Sequence, residues 1–245
     1  MNTFSELSVS PELRMALEKR AITVPTAVQR TVIPALTAGE SILFQSETGT
    51  GKTLCYLLPA FMKCAADTGK DSPKILVIAP THELASQIKT EAATLAQDSG
   101  LPITAALCIV GAPLKRKIEM LKQKPTLLVG GPARILELIR LKKLSVRGIK
   151  TVVMDETDRM LSPEMRDILA ELLSVILPET QFIACSATLS KYHASILEKM
   201  IPTPRVHADA TPQSEVKAPA HRLRLITLPP EEVLRRNIAH WALYS

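Results

Sequence analysis

The run Ser46-Glu47-Thr48-Gly49-Thr50-Gly51-Lys52-Thr53 holds the residue types needed to grip a polyphosphate. Gly49 and Gly51 let backbone N–H groups turn inward around phosphate oxygens, and a following helix N-terminus adds positive potential. Lys52 has the reach for β- and γ-phosphates, and the Thr53 hydroxyl can hold Mg²⁺. The flanks agree: apolar Ile42-Leu43-Phe44 comes before the glycines, and a helical apolar pattern through Leu54, Leu57, Leu58 and Phe61 comes after. Strand, glycine loop and helix in that order predict a nucleoside triphosphate site. A plain glycine turn would not require Gly-x-Gly-Lys-Thr.

Asp155-Glu156-Thr157-Asp158 follows apolar Val152-Val153-Met154. Alone, such an acidic cluster is as readily a helix N-cap as a metal site. Beside a phosphate loop, a carboxylate at a buried strand tip suits a Mg²⁺ ligand, here Asp155, and Glu156 can orient or deprotonate an attacking water. Ser186-Ala187-Thr188 ends another apolar run and places two hydroxyls near the same edge, although a Ser-x-Thr step by itself is ordinary strand-end capping.

These groups need a scaffold that gathers them. Strand-like runs at 41–45, 74–79, 103–110, 126–129, 151–154 and 181–185 alternate with helical patterns such as 83–95, 114–123, 133–141 and 164–177. This predicts an α/β fold, a mostly parallel sheet with helices on both faces. Such sheets bind ligands at the carboxyl ends of their strands, and every polar motif above follows a strand. Residues 1–208 are expected to form this unit. Polar, proline-containing 209–221 reads as a linker. Residues 222–245 supply one strand and one short helix, too little for a domain, and are expected to begin a second unit.

Composition narrows the class. The 245 residues are 46% hydrophobic, which excludes a disordered chain. No apolar run reaches the ~18 residues that cross a bilayer, and the first ten residues lack a secretory pattern. Cys55, Cys64, Cys108 and Cys185 lie far apart without a Cys-x-x-Cys pair, so buried reduced thiols in an intracellular protein are expected rather than zinc or disulfides. The net charge is +6, but residues 113–150 hold eleven Lys/Arg against Glu119 and Glu137, a local +9. A solvated helical surface would suffice to explain it; the sharper expectation is a nucleic-acid backbone track. With aromatics at 3%, that track would contact phosphates and sugars rather than stack bases.

In order and spacing, Gln29, the 46–53 loop, Pro80-Thr81-His82-Glu83-Leu84-Ala85, Asp155-Glu156-Thr157-Asp158 and Ser186-Ala187-Thr188 resemble the first RecA-like lobe of DEAD-box ATP-dependent RNA helicases. The resemblance runs from about residue 4 to 207. It implies a RecA-like P-loop NTPase lobe with ATP and Mg²⁺ as ligands. Ser46, Glu47, Thr48, Gly49, Thr50, Gly51, Lys52 and Thr53 would hold the nucleotide, and Thr53 and Asp155 the metal. Lys52, Asp155 and Glu156 would serve catalysis, and Ser186 and Thr188 would couple it to RNA. Pro25-Thr26-Ala27-Val28-Gln29 is similar to the family's adenine motif; the Gln29 amide, donor and acceptor together, would select ATP. Phe4 stands where the family has an aromatic that contacts the base. For RNA the resemblance implies Pro80, Thr81, Gln87, Gly111, Gly131 and Arg134, with Arg134 the leading phosphate contact. Gly111, Gly131 and Arg134 lie at or beside the +9 stretch, so charge and resemblance are expected to mark one surface.

The departures fall on the RNA side. His82 stands for the usual Arg, Ala112 for Gly, and Gly131 and Ala133 for Thr and Gly; Thr157 replaces the alanine of the family name. The resemblance implies an ATP hydrolase and RNA helicase whose second RecA-like lobe supplies arginine fingers. Those motifs are not in 222–245, so the 245-residue chain alone is expected to hydrolyse ATP slowly. The alternative is a non-catalytic RNA–protein assembly scaffold or clamp with protein partners. The altered RNA motifs favour it, and intact Lys52, Asp155 and Glu156 oppose it.

Overall fold

Short apolar runs such as Ile75-Leu76-Val77-Ile78 and Thr151-Val152-Val153-Met154 are buried along their whole length, which requires cover on both faces. In the computed structural model, which describes residues 3–46, 49–108, 114–188, 191–202 and 223–227 (backbone alone at 114–117), they form the centre of one sheet. The strands are β1 (Ile42–Gln45), β2 (Ile75–Ile78), β3 (Ala105–Cys108), β4 (Leu127–Gly130), β5 (Thr151–Met154), β6 (Gln181–Ser186) and β7 (Arg224–Ile226). They run parallel in the order β3-β4-β2-β5-β6-β1-β7. The helices are α1 (Pro11–Lys19), α2 (Ala27–Thr37), α3 (Lys52–Ala66), α4 (His82–Ser99), α5 (Leu114–Lys122), α6 (Pro132–Arg140), α7 (Thr157–Met160), α8 (Pro163–Ser174) and α9 (Lys191–Met200).

Alternate strand residues feed two separate cores, as the period of two demands. Ile75, Val77, Val129, Val153 and Ile183 pack with Leu13, Val32, Leu57 and Ile88 of α1 to α4. Leu76, Ile78, Leu128, Val152 and Ala184 pack with Ile135, Leu138, Leu169 and Leu197 of α6, α8 and α9. The predicted α/β architecture is therefore present, with strands at each predicted position. Gly49 to Thr53 follow β1, Pro80 and Thr81 follow β2, Gly131 follows β4, Asp155 follows β5 and Ser186 closes β6. One sheet edge collects them all.

Two features differ from the sequence expectation. Arg224, Leu225 and Ile226, expected to open a second unit, extend this sheet: they pair in parallel with Ile42, Leu43 and Phe44. Without them β1 would be an edge strand with unpaired N–H and C=O groups. Leu223 and Ile226 are buried there, and Arg224 donates to Glu40 at 2.8 and 3.1 Å. The linker 209–221 and residues 228–245 lie outside the described residues, as do Glu47, Thr48, Gly111 and Ala112.

The +9 stretch is the second correction, because it is not one surface. Lys122 and Lys124 precede β4 at the amino edge of the sheet, and Arg134 follows β4 at the carboxyl edge. α6 then carries the chain back, so Lys142, Lys143, Arg147 and Lys150 precede β5 at the amino edge again. Contiguous sequence that contains a strand and a helix crosses the fold twice. Charge and the RNA motifs therefore coincide at Arg134 but separate at the later lysines.

Candidate nucleotide site

The loop after β1 uses its glycines as backbone, not as small side chains. Gly49 and Gly51 have φ 81° and 82°, the left-handed region that glycine enters without penalty. Gly51 caps α3, and a Cβ there would sit 2.5 Å from Gln29 Nε2. That proximity is a hydrogen bond: Gln29 Nε2 donates to the Gly51 carbonyl at 3.1 Å, while Gln29 Oε1 accepts from Thr26 N at 2.9 Å. Thr26 Oγ1 in turn accepts from Gln29 N, which completes a capping box at the start of α2. The predicted adenine reader is thus bonded to the phosphate loop. Ser46 is buried, its hydroxyl bonded to that of Thr50.

At the centre Lys52 Nζ lies 3.0 Å from Asp155 Oδ1, with both side chains largely withdrawn from solvent. Asp155 is fully buried and accepts three further bonds. Tyr56 donates its hydroxyl to Oδ2 at 3.0 Å, Cys185 its thiol to Oδ1 at 3.1 Å, and Glu156 its backbone N–H to Oδ1 at 2.9 Å. Burial opposes the Lys52 ammonium, but the Asp155 carboxylate and its hydrogen bond outweigh this and raise the Lys52 pKa. Burial, then the Asp155 charge, push the Tyr56 phenol and the Cys185 thiol well above their usual values, so both stay protonated donors.

Glu156 sits at φ 52°, ψ 52°, a left-handed conformation that costs a non-glycine residue about 1 kcal/mol or more. Its carboxylate is held 3.0 Å from Arg159 Nη1. Thr157, in place of the family's alanine, donates its buried hydroxyl to the carbonyls of Met154 and Cys185, both at 3.0 Å, and so ties β5 to β6. Asp158 Oδ2 accepts from Thr188 Oγ1 at 2.8 Å, and the Ser186 hydroxyl donates to the Thr188 carbonyl. The acidic cluster and the Ser-Ala-Thr step are therefore in direct contact.

A cleft of about 460 Å³ opens above these groups, lined by Gly49, Gly51, Lys52, Thr53 and Glu156 on one side and by Leu84, Gln87, Ile88 and Glu91 of α4 on the other. Gln87, expected at RNA, faces this cleft. Phe4 does not: it is 4% exposed, packs into the core and lends only an edge to a separate hollow with Arg14, Glu18 and Thr23. Thr81 uses its hydroxyl to cap α4, accepting from Leu84 N at 3.2 Å, and Pro80 beside it is half-exposed. Gly131 caps α6 with no side-chain bond, and Arg134 pairs with Glu137 at 2.8 Å.

Tyr56 and Cys185 were not identified from the sequence as site residues. One signal was available for the tyrosine, which lies four positions after Lys52 and so on the same helix face. Cys185 reaches Asp155 because β6 lies beside β5, an adjacency no local pattern reveals.

A family model of the DEAD/DEAH box helicase matches residues 26–196, which span the loop, the acidic cluster and the Ser-Ala-Thr step. The chain belongs to this family. This DEAD-box chain is similar to the DEAD-box ATP-dependent RNA helicase CshC of Bacillus cereus, 38% identical over 183 residues, which are 75% of this chain and 46% of that protein. It is also similar to CshB of Listeria monocytogenes, 33% identical over 220 residues, 90% of this chain and 50% of the relative. Among solved structures, a DEAD box protein from the hyperthermophile Methanococcus jannaschii matches with TM-score 0.75 at 26% identity, over 82% of this chain and 54% of that one. The DEAD-box chain spans about half the length of these relatives.

Proposed function

We propose that this DEAD-box chain is the ATP-binding lobe of an RNA helicase or RNA–protein remodelling ATPase. In this reading it binds ATP with Mg²⁺, contacts the RNA backbone with little sequence preference, and hydrolyses ATP when a second RecA-like lobe closes on the cleft. The observation that carries it is the convergence of the glycine loop, the Lys52–Asp155 pair and Glu156 on one cleft. The donors also suit Mg²⁺. Asp155 and Thr53 offer hard oxygen ligands, and one carboxylate plus one hydroxyl leaves the remaining positions to phosphates and water. In this reading Mg²⁺ arrives with the nucleotide. Bound there, it would neutralise charge on the β- and γ-oxygens.

The chain's own groups divide the remaining work. Lys52, kept ionised by Asp155, exchanges that partner for the β/γ-phosphates, while Tyr56 and Cys185 hold the Asp155 carboxylate in place. Gln29 exchanges its bond to Gly51 for adenine, while Phe4 stays in the core. Glu156, released from Arg159, orients the attacking water and accepts its proton. Thr188 and Ser186 link Asp158 to the RNA side, where Pro80, Thr81, Gly111, Gly131 and Arg134 meet the sugar–phosphate backbone; Gln87 on the cleft wall connects the two. An intracellular site of action belongs to the same reading.

The test is RNA-stimulated ATP hydrolysis with the second lobe present, parent against Glu156→Gln. ATP binding should persist while turnover falls by ~10²-fold or more, the usual contribution of a general base. Parental turnover in the variant would remove Glu156 from the chemistry.

A further inference from the structure

At the amino edge of the sheet three neighbouring connections, those entering β4, β2 and β5, are knit into one surface. Lys74 N donates to the Thr126 carbonyl at 2.9 Å, Lys150 N to the Lys74 carbonyl at 2.8 Å, and Ser72 Oγ to the Pro125 carbonyl. Gly148 passes so close that a Cβ would lie 2.8 Å from Asp71 Cβ. On this surface Lys122, Lys124, Lys142, Lys143, Arg147 and Lys150 are all exposed, and none forms an ion pair with a described residue. The acids in the same connections are Asp67, which Lys74 already engages at 3.4 Å, and Asp71.

The backbone adds an independent observation. Lys124 and Lys142 have φ 52° and 56°, each just past the end of a helix, where glycine or asparagine normally relieves the strain. Lys142 N bonds the Ile139 carbonyl and Lys143 N the Leu138 carbonyl, both at 2.9 Å, so this is an ordinary helix-ending turn with lysine in glycine's place. Both strained lysines belong to the exposed set. Apolar surface is scarce here, Leu141 being the one large hydrophobic exposed in these connections. A protein interface would need an apolar centre. Dense, unpaired cations without one suit a polyanionic backbone.

We infer that this amino-edge patch is a second contact for the RNA sugar–phosphate backbone, on the side of the sheet opposite the nucleotide cleft. The inference rests on the RNA reading above. Arg134, in the first turn of α6, and Lys142, just past its last turn, are separated by about 12 Å along the helix axis, so an RNA shorter than that span occupies one surface and a long one engages both.

Fluorescence anisotropy tests this with single-stranded RNAs of about 4 and about 40 nucleotides, the shorter spanning only ~10 Å at ~3.4 Å per stacked nucleotide and so confined to one site. The variants are Arg134→Ala and the triple Lys142→Asn, Lys143→Gln, Arg147→Gln, in which asparagine suits the left-handed position. The parent should bind the long RNA at least tenfold more tightly than the short one. The triple variant should lose that gain with an unchanged melting temperature, and its salt slope on long RNA should be shallower by about 2, at ~0.7 per charge on a single strand. An unchanged affinity and slope in the triple variant, with the parent binding both RNAs, overturns this inference alone. Failure of the parent to bind either RNA overturns the RNA reading with it. If the triple variant loses binding of poly-glutamate but not of RNA, the patch serves an acidic protein and the inference is wrong.

Discussion

Replacing Lys52 with methionine should destabilise the nucleotide-free protein, although phosphate-binding lysines are usually judged by activity alone. Asp155 is fully buried, and the Lys52 side chain beside it is 9% exposed. Removing one partner of a buried ion pair leaves an uncompensated charge and costs about 3–5 kcal/mol. Here Tyr56, Cys185 and the Glu156 N–H still bond the carboxylate, which places the loss near the lower end, about 3 kcal/mol. At about 2–4 °C per kcal/mol for a chain of this size, the melting temperature should fall by about 6–12 °C. Asp155→Asn should cost less, about 1–2 kcal/mol, because Lys52 lines the cleft and can turn its ammonium to water. The double variant removes both charges and should lie within about 1 kcal/mol of the parent, a coupling of at least about 3 kcal/mol. Urea unfolding followed by circular dichroism, without nucleotide, measures all four corners. A Lys52→Met loss below about 0.5 kcal/mol, or additive losses in the double variant, would refute the buried-pair reasoning.

Gly51→Ala should weaken ATP binding tenfold or more, because the new Cβ displaces the Gln29 amide and strains a left-handed residue; titration of a fluorescent ATP analogue reads it out. Gly131→Thr should stabilise by about 0.5–1 kcal/mol, since φ −77° suits threonine, the nearest atom to a Cβ is 3.8 Å away, and α6 gains a capping hydroxyl; a thermal melt should rise by about 1–4 °C. Stability should fall on the alkaline side. Burial first, and Asp155 second, raise the folded pKa of Cys185 and Tyr56, so their contribution is complete below about 8.5 and 10 and is lost as pH rises toward the folded values. Urea midpoints at neutral pH and near pH 10 should show the drop, and Cys185→Ala should flatten its first part.

Chemistry that sits in one short run was legible before any coordinates. Gly49, Gly51, Lys52 and Thr53 act through the backbone of a single turn, and Asp155 and Glu156 occupy the tip of a strand whose apolar run announces it. Legibility ended where a contact joins distant segments. The Gln29–Gly51 bond spans 22 positions and the Tyr56–Asp155 bond 99, and each depends on how α2 and α3 pack against the sheet. Strand order is equally remote from local pattern, so Cys185 looked like filler until β6 was seen beside β5. The charge stretch misled for a complementary reason. Proximity along the chain was taken for proximity in space, and β4 carries Arg134, in the middle of the stretch, to the edge opposite Lys122 and Lys150.

The pairing of β7 with β1 fixes where the chain goes next. Ile226 lies opposite Phe44, two residues before Ser46, and the strands are parallel, so Thr227 leaves the sheet at the rim of the cleft. Any body attached downstream is therefore leashed beside the nucleotide rather than recruited from bulk. A short leash holds its cargo at an effective concentration of the order of millimolar, so closure would be governed by leash length and stiffness more than by contact strength. The same three-residue pairing is a mechanical joint: a pull on the leash shears β7 along β1, and the strand that feels it first is the one carrying the phosphate loop.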